Sequence, residues 1–281
     1  MRKKPILFGL LVFSLILMSP LTLAQDTEYS CAASEGGTKY LKVDTVDETG
    51  LEEMFGSNWA TVLENSFGSG ADEVGARQKS TVTDVKSDIE VDLGLGLGKF
   101  PACNITTDAW NWETGEFSEE PDLKDFVVTV LLDPDDLTEY TQTLTAILAL
   151  GIPGYSAQNV SMHNPAVQFL GQLPVPADEY LAALVWEEGW NVDGLKVSHE
   201  HEAGYTSLFG TTYQADGKET WEFDGQFGAF IGYTLEDADG NVIYAYSLDV
   251  SALIPGYELT FVMGSMMAGI LGVIYVFKRR H

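Results

Sequence analysis

Two apolar runs, one at each end of the chain, bracket a middle that carries nearly all of its acidic charge. Met1, Arg2, Lys3 and Lys4 lead into an almost wholly apolar run from Ile6 to Met18, followed by Pro20 and the small residue Ala24. A basic start, a short apolar run and a small residue together read as a secretory signal, with cleavage expected after Ala24. At the other end, Leu259 to Phe277 is 19 residues without a charge, and Lys278, Arg279, Arg280 and His281 follow at once. That length matches one bilayer crossing. The basic cluster belongs on the cytoplasmic side, which places the preceding domain outside. The expected organisation is a signal peptide over residues 1–24, an acidic extracellular domain over 25–253, and a tail over 254–281 holding one transmembrane helix.

The stretch from residue 25 to 257 keeps nine of the 15 basic residues and 41 of the 42 acids, a net charge of −32. Such a surface is soluble and repels anionic polymers, which excludes a nucleic-acid partner. The chain is 45 % apolar, so the acids do not mark a disordered tail, and its 281 residues suffice for a sizeable core. Cys31 and Cys103 are the only cysteines. In an oxidising compartment they are expected to pair, tying the mature N-terminus to the body. Asn104-Ile105-Thr106 and Asn159-Val160-Ser161 are sequons that make Asn104 and Asn159 glycan candidates.

Hydrophobic periodicity supplies the elements. Residues 37 to 46 read as a strand. Thr49 to Phe67 reads as one helix, with Leu51, Phe55, Trp59, Val62 and Phe67 near helical spacing, a Thr49/Glu52 capping box and Gly68 as its stop. Alternation over Ile89 to Leu95 gives a half-buried strand. Asn104 to Trp112 and Phe126 to Leu132 give two more, the last apolar on both faces. Asp135 to Leu150 reads as a second helix and Ala177 to Trp186 as a short third. Beyond it, Asp-Gly pairs at 193–194, 216–217, 224–225 and 239–240 punctuate strand-like segments. Asp-Gly suits the positive φ of tight hairpins, so these segments are expected to form an antiparallel meander. The fold class is α+β: an antiparallel meander or half-barrel with two or three packed helices.

Pro255, Gly256 and Tyr257, followed by the apolar span and the basic end, resemble the tripartite sorting tail of archaeal surface proteins, in which a Pro-Gly-Phe type motif precedes the helix. Tyr257 stands where that motif has Phe. The resemblance implies a sorting transpeptidase as a partner and a lipid-linked product. Thr107 to Gly115, Pro176 to Trp190 and Gly225 to Tyr246 resemble ectodomains of the choice-of-anchor kind, which implies location alone. The meander with helices beside it also looks like a lipoprotein-carrier half-barrel, whose curved sheet has an apolar inner face.

Candidate chemistry is sparse. His199 and His201 alternate with Glu200 and Glu202, so the two imidazoles share one strand face. They are candidate zinc or copper ligands that lack a third donor; the plainer alternative is an exposed polar strand. Asp237, Asp239, Gly240 and Asn241 start like a calcium loop, but Val242 and Leu248 break the pattern and a hairpin explains all four. Acid pairs such as Glu119-Glu120 keep a hydrolase in view. No nucleophile elbow or phosphate loop occurs, and no cofactor is expected. Trp110, Trp112, Trp186, Trp190 and Trp221 are expected to be mostly core, or else to form a sugar-stacking face for a glycan ligand. The reading is a membrane-anchored cell-surface protein, not an enzyme, with a role in binding, adhesion or envelope structure. The alternatives are a carrier of an apolar or lipid ligand and a secreted hydrolase.

Overall fold

The computed structural model describes residues 28–92, 99–113, 115–137, 172–186, 189–206 and 211–250. The signal peptide, most of the helix expected over 135–150, Asn159, the Pro255–Tyr257 motif and the C-terminal apolar run lie outside the described residues. Among the described residues, no helix is long and apolar enough to cross a membrane.

The molecule is built on one ten-stranded sheet in which every pairing between strands is antiparallel. Its strands are β1 (Thr38–Val46), β2 (Arg77–Asp92), β3 (Lys99–Glu113), β4 (Glu116–Phe117), β5 (Leu123–Leu131), β6 (Trp190–Asp193), β7 (Lys196–His201), β8 (Gly217–Phe223), β9 (Phe230–Asp237) and β10 (Val242–Leu248). The spatial order is β4-β3-β2-β1-β10-β9-β8-β7-β6, with β5 also pairing β3. The C-terminal strands β6 to β10 form the expected antiparallel meander, although only two of the four Asp-Gly pairs place glycine at positive φ in hairpin tips. The meander closes onto the N-terminal strands because β10 pairs β1, with Leu41 opposite Leu248.

One sheet face carries the core. Leu41 and Val43 of β1, Val197 of β7, Phe223 of β8, Leu235 of β9 and Tyr244 of β10 are all buried there. The period-2 alternation of the strands puts Lys196, Glu200 and other polar residues on the opposite face. Three short helices pack on the sheet, α1 (Glu48–Phe55), α2 (Trp59–Phe67) and α3 (Ala177–Ala183), and the described residues also hold a helical turn at 134–137, where the second helix is expected to start. Leu51, Met54, Leu63 and Phe67 of α1 and α2, and Tyr180 and Leu181 of α3, join the same core.

Several local expectations are corrected. The single helix over 49–67 is two helices, separated by a 3-10 turn over Gly56–Asn58. Gly56 has φ +74°, and a Cβ there would lie 2.7 Å from Gln214 Nε2. The N-cap is Asp47, which accepts from Thr49 N–H at 3.1 Å, so the expected Thr49 capping box does not start the helix. The strand expected from Ile89 begins twelve residues earlier, at Arg77, where polar and charged residues hide the alternation. The strand over 126–132 is not buried on both faces. Its first half lies at the open edge, leaving Phe126 42 % exposed. Two Asp-Gly pairs, 193–194 and 239–240, place glycine at positive φ in hairpin tips, but Gly217 does not. Gly217 lies within β8, where a Cβ would sit 2.7 Å from Met54 Cε and 2.8 Å from the Glu236 carbonyl, so close packing is what glycine allows there.

Cys31 and Cys103 come together at disulfide distance, with Cα atoms 6.3 Å apart. Cys103 is fully buried beside Ile105 and Val130, so the link fixes the N-terminal segment against β3 and β5.

Candidate functional site

The described residues do not fill the core face along its whole length. Across β9, β10, β1, β2, β3 and β5 it borders a cavity of about 590 Å³. That is within the range of roughly 300–1,000 Å³ typical of small-molecule sites. Its walls are apolar for most of their area, with Leu41, Val82, Ile105, Val128 and Leu248 among the lining side chains. The register explains why: Val82 lies opposite Thr107, Thr107 opposite Phe126, and Ile105 opposite Val128, so a band on one face runs across three strands. The rim is apolar too. Leu123 and Phe126 of β5 are 46 % and 42 % exposed, and Phe227, in the turn before β9, is 48 % exposed. All three border the same opening. Exposed large side chains gathered at one mouth differ from scattered surface apolars, which need no explanation.

Among the described lining residues, Lys39 and Asp224 are the only charged groups. Asp224 Oδ1 accepts from Gln226 N–H at 2.9 Å and Phe227 N–H at 2.7 Å, so its carboxylate holds a turn. Lys39 Nζ donates to the Phe230 carbonyl at 3.0 Å and lies 5.5 Å from the centre of the Phe230 ring. Burial pushes its ammonium pKa down to about 8.

Beyond Phe230 the face continues as a chain of aromatic rings. Phe230 meets Tyr246 at 5.9 Å, and Tyr246 stacks on Tyr233 at 5.3 Å. Tyr233 and Tyr213 both donate their hydroxyl protons to Glu219 Oε1, at 2.6 and 2.8 Å. Glu219 is buried, and that burial pushes its pKa above the usual carboxylate range despite the two donors. Desolvation and the nearby carboxylate raise both tyrosines far beyond any physiological pH.

His199 and His201 stand at the end of this chain. Strand alternation is as expected, but the inward face is the histidine face. Each imidazole is only 6 % exposed, while Glu200 and Glu202 are exposed. The exposed polar strand is therefore corrected: β7 packs against aromatic residues on its imidazole side. His199 stacks on Trp190 at 4.5 Å, and His201 lies 4.0 Å from Tyr213 and 5.7 Å from Tyr205. The two rings are 6.1 Å apart. Desolvation, and to a lesser degree the charge on His199, push the His201 pKa down to about 4. Among the described residues, no group of three or more His, Cys, Asp or Glu comes together as a metal site.

The remaining sequence candidates are dispersed. Asn104 lies in β3, half-buried, and its Oδ1 accepts from the Thr129 hydroxyl at 2.7 Å. Asp237 caps the β9–β10 hairpin, accepting from Asp239 N–H at 2.9 Å and Asn241 N–H at 2.8 Å. The five tryptophans singled out are all half-buried, and Trp112, Trp186, Trp190 and Trp221 pack against the core. Trp190 stacks on Trp221 at 5.5 Å and meets Trp186 at 5.6 Å, whereas Trp110 carries the Lys79 ammonium at 3.8 Å. Sequence reasoning missed Lys39 and Glu219. Lys39 lies two residues after Gly36-Gly37 and reads as a surface charge, and Glu219 is one acid among 42. Strand parity was the available signal, since both fall on the same side as apolar neighbours.

No protein-family model, curated protein or solved structure matches the chain.

Proposed function

We propose that this chain is a membrane-anchored surface protein that holds an apolar ligand against the inner face of a curved, half-barrel-like sheet. The observation that carries this reading is the open, apolar-walled cavity of about 590 Å³ with Leu123, Phe126 and Phe227 exposed at its mouth. An exposed apolar rim around an unfilled apolar cavity costs solubility and packing energy, and binding a ligand recovers both. The anchoring rests on the apolar span at 259–277 and the basic residues after it. The hydrolase alternative is less well supported, because the cavity's one described carboxylate, Asp224, is held by two backbone N–H groups.

The test is a cavity-filling substitution. The full-length chain, reconstituted in nanodiscs of neutral lipid, is titrated with the neutral fluorophore N-phenyl-1-naphthylamine, and the signal of empty nanodiscs is subtracted. Saturable binding is expected for the native chain and for Glu200→Phe on the opposite sheet face. Ala109→Phe and Ser80→Phe, each in the cavity wall, are expected to abolish it. Equal binding by all four proteins would refute the cavity as the site.

A further inference from the structure

We propose that the cavity ligand is a single-chain amphiphile with a carboxylate head, held by Lys39 with its tail along the apolar band. This rests on the cavity reading above and specifies the ligand's chemical class.

The acidic middle of the chain has 41 carboxylates for nine cations. Lys42, Arg77, Lys86, Lys99, Lys196 and Lys218 all form ion pairs. Lys79, which lies over the Trp110 ring, and Lys124 form none with any described residue, but neither lines the cavity; Lys39 forms none either and does line it. Among the described residues its hydrogen bond goes to one backbone carbonyl, that of Phe230, and it also lies over the Phe230 ring. In a chain with so many acids, a cation that lines a mostly apolar cavity and pairs with no described carboxylate is costly unless a ligand supplies the anion. The depressed ammonium pKa reports that same unbalanced desolvation.

Placement supports the head and tail assignment. Lys39 lies opposite Ser80, and Ser80 opposite Ala109, which in turn pairs Leu123 at the rim. This row offers an ammonium and a hydroxyl to a head group. Beside it lie Val82, Ile105, Val128 and Phe126, with no charged side chain among them. A tail can therefore follow the band to the exposed edge of β5. A carboxylate suits one ammonium better than a phosphate dianion does, because Asp224 adds its own negative charge to the same cavity. A desolvated ammonium–carboxylate hydrogen bond is worth about tenfold or more in affinity over a neutral head.

The experiment displaces bound N-phenyl-1-naphthylamine from the full-length chain in neutral nanodiscs with four competitors sharing one tail: dodecanoate, dodecanol, dodecylamine and dodecyl phosphate. Dodecanoate is expected to displace the probe at about one-tenth the concentration of dodecanol, with dodecylamine weakest. Lys39→Met is expected to bring dodecanoate to the level of dodecanol, each read against the probe affinity of that variant, and Lys39→Arg to keep a preference for the acid. Probe binding with equal displacement by dodecanoate and dodecanol would overturn the head-group assignment and leave the cavity reading intact. Stronger displacement by dodecyl phosphate would overturn the choice of carboxylate. A preference for dodecanoate that survives in Lys39→Met would overturn the role of Lys39. No probe binding at all would overturn both readings.

Discussion

His201 gives the sharpest test of the buried cluster. It is 6 % exposed, and neither ring nitrogen has a hydrogen-bond partner. The charged and titratable groups nearby are His199 on the same strand, Tyr205, Tyr213 and Asp216. Glu219 lies opposite His199 on β8 and binds Tyr213. Desolvation holds the folded pKa near 4, against 6.5 for the free side chain. The unfolded chain therefore binds more protons than the folded one between these values, and stability falls as pH drops through that window. The gap of 2.5 between the two printed values corresponds to roughly 3 kcal/mol at most, at about 1.36 kcal/mol per pKa unit. His201→Phe and the smaller His201→Leu remove the titration and the orphaned polar atoms. Urea unfolding followed by tryptophan emission at pH 4, 5, 6 and 7.5 measures the effect. The native chain is expected to lose up to about 3 kcal/mol more than either variant between pH 7.5 and pH 4. A stability difference that stays constant across the series would refute the reasoning, because the ring would then protonate as readily folded as unfolded.

Glu219→Gln is expected to act in the opposite direction. Its folded pKa is raised, so the native chain loses stability as pH rises through the carboxylate range, and the variant gains relative to it between pH 4 and 7 in the same unfolding series. Gly228→Ala is expected to destabilise by about 2 kcal/mol or more in thermal unfolding. Gly228 has φ +67°, and a Cβ there would lie 2.2 Å from the Leu173 carbonyl oxygen. Cys103→Ser is expected to cost about 4 kcal/mol on the chain-entropy account of a 72-residue separation and to abolish the mobility difference between reduced and non-reduced samples on gels.

Local sequence determined a good part of this molecule. The C-terminal meander was legible because alternating side chains and Asp-Gly turns act over a few residues. The stop at Gly68 and the short helix from Ala177 were legible for the same reason. The Cys31–Cys103 pairing followed by elimination, as the chain has two cysteines. What the tertiary structure alone decided is which face of each strand is inside. Alternation shows that His199 and His201 point together, but not that they point inward, since imidazole suits either environment. A shift in register between Val242 and Tyr244 buries Ile243 and Tyr244 in succession and leaves Val242 41 % exposed, against the parity of the sequence. Lys39 became a candidate site residue only when β10 closed onto β1 and brought Phe230 beside it, 191 residues away. Periodicity records what each side chain prefers along its own strand. The cavity and its one described cation arise from pairings between distant strands, and those contacts leave no local mark.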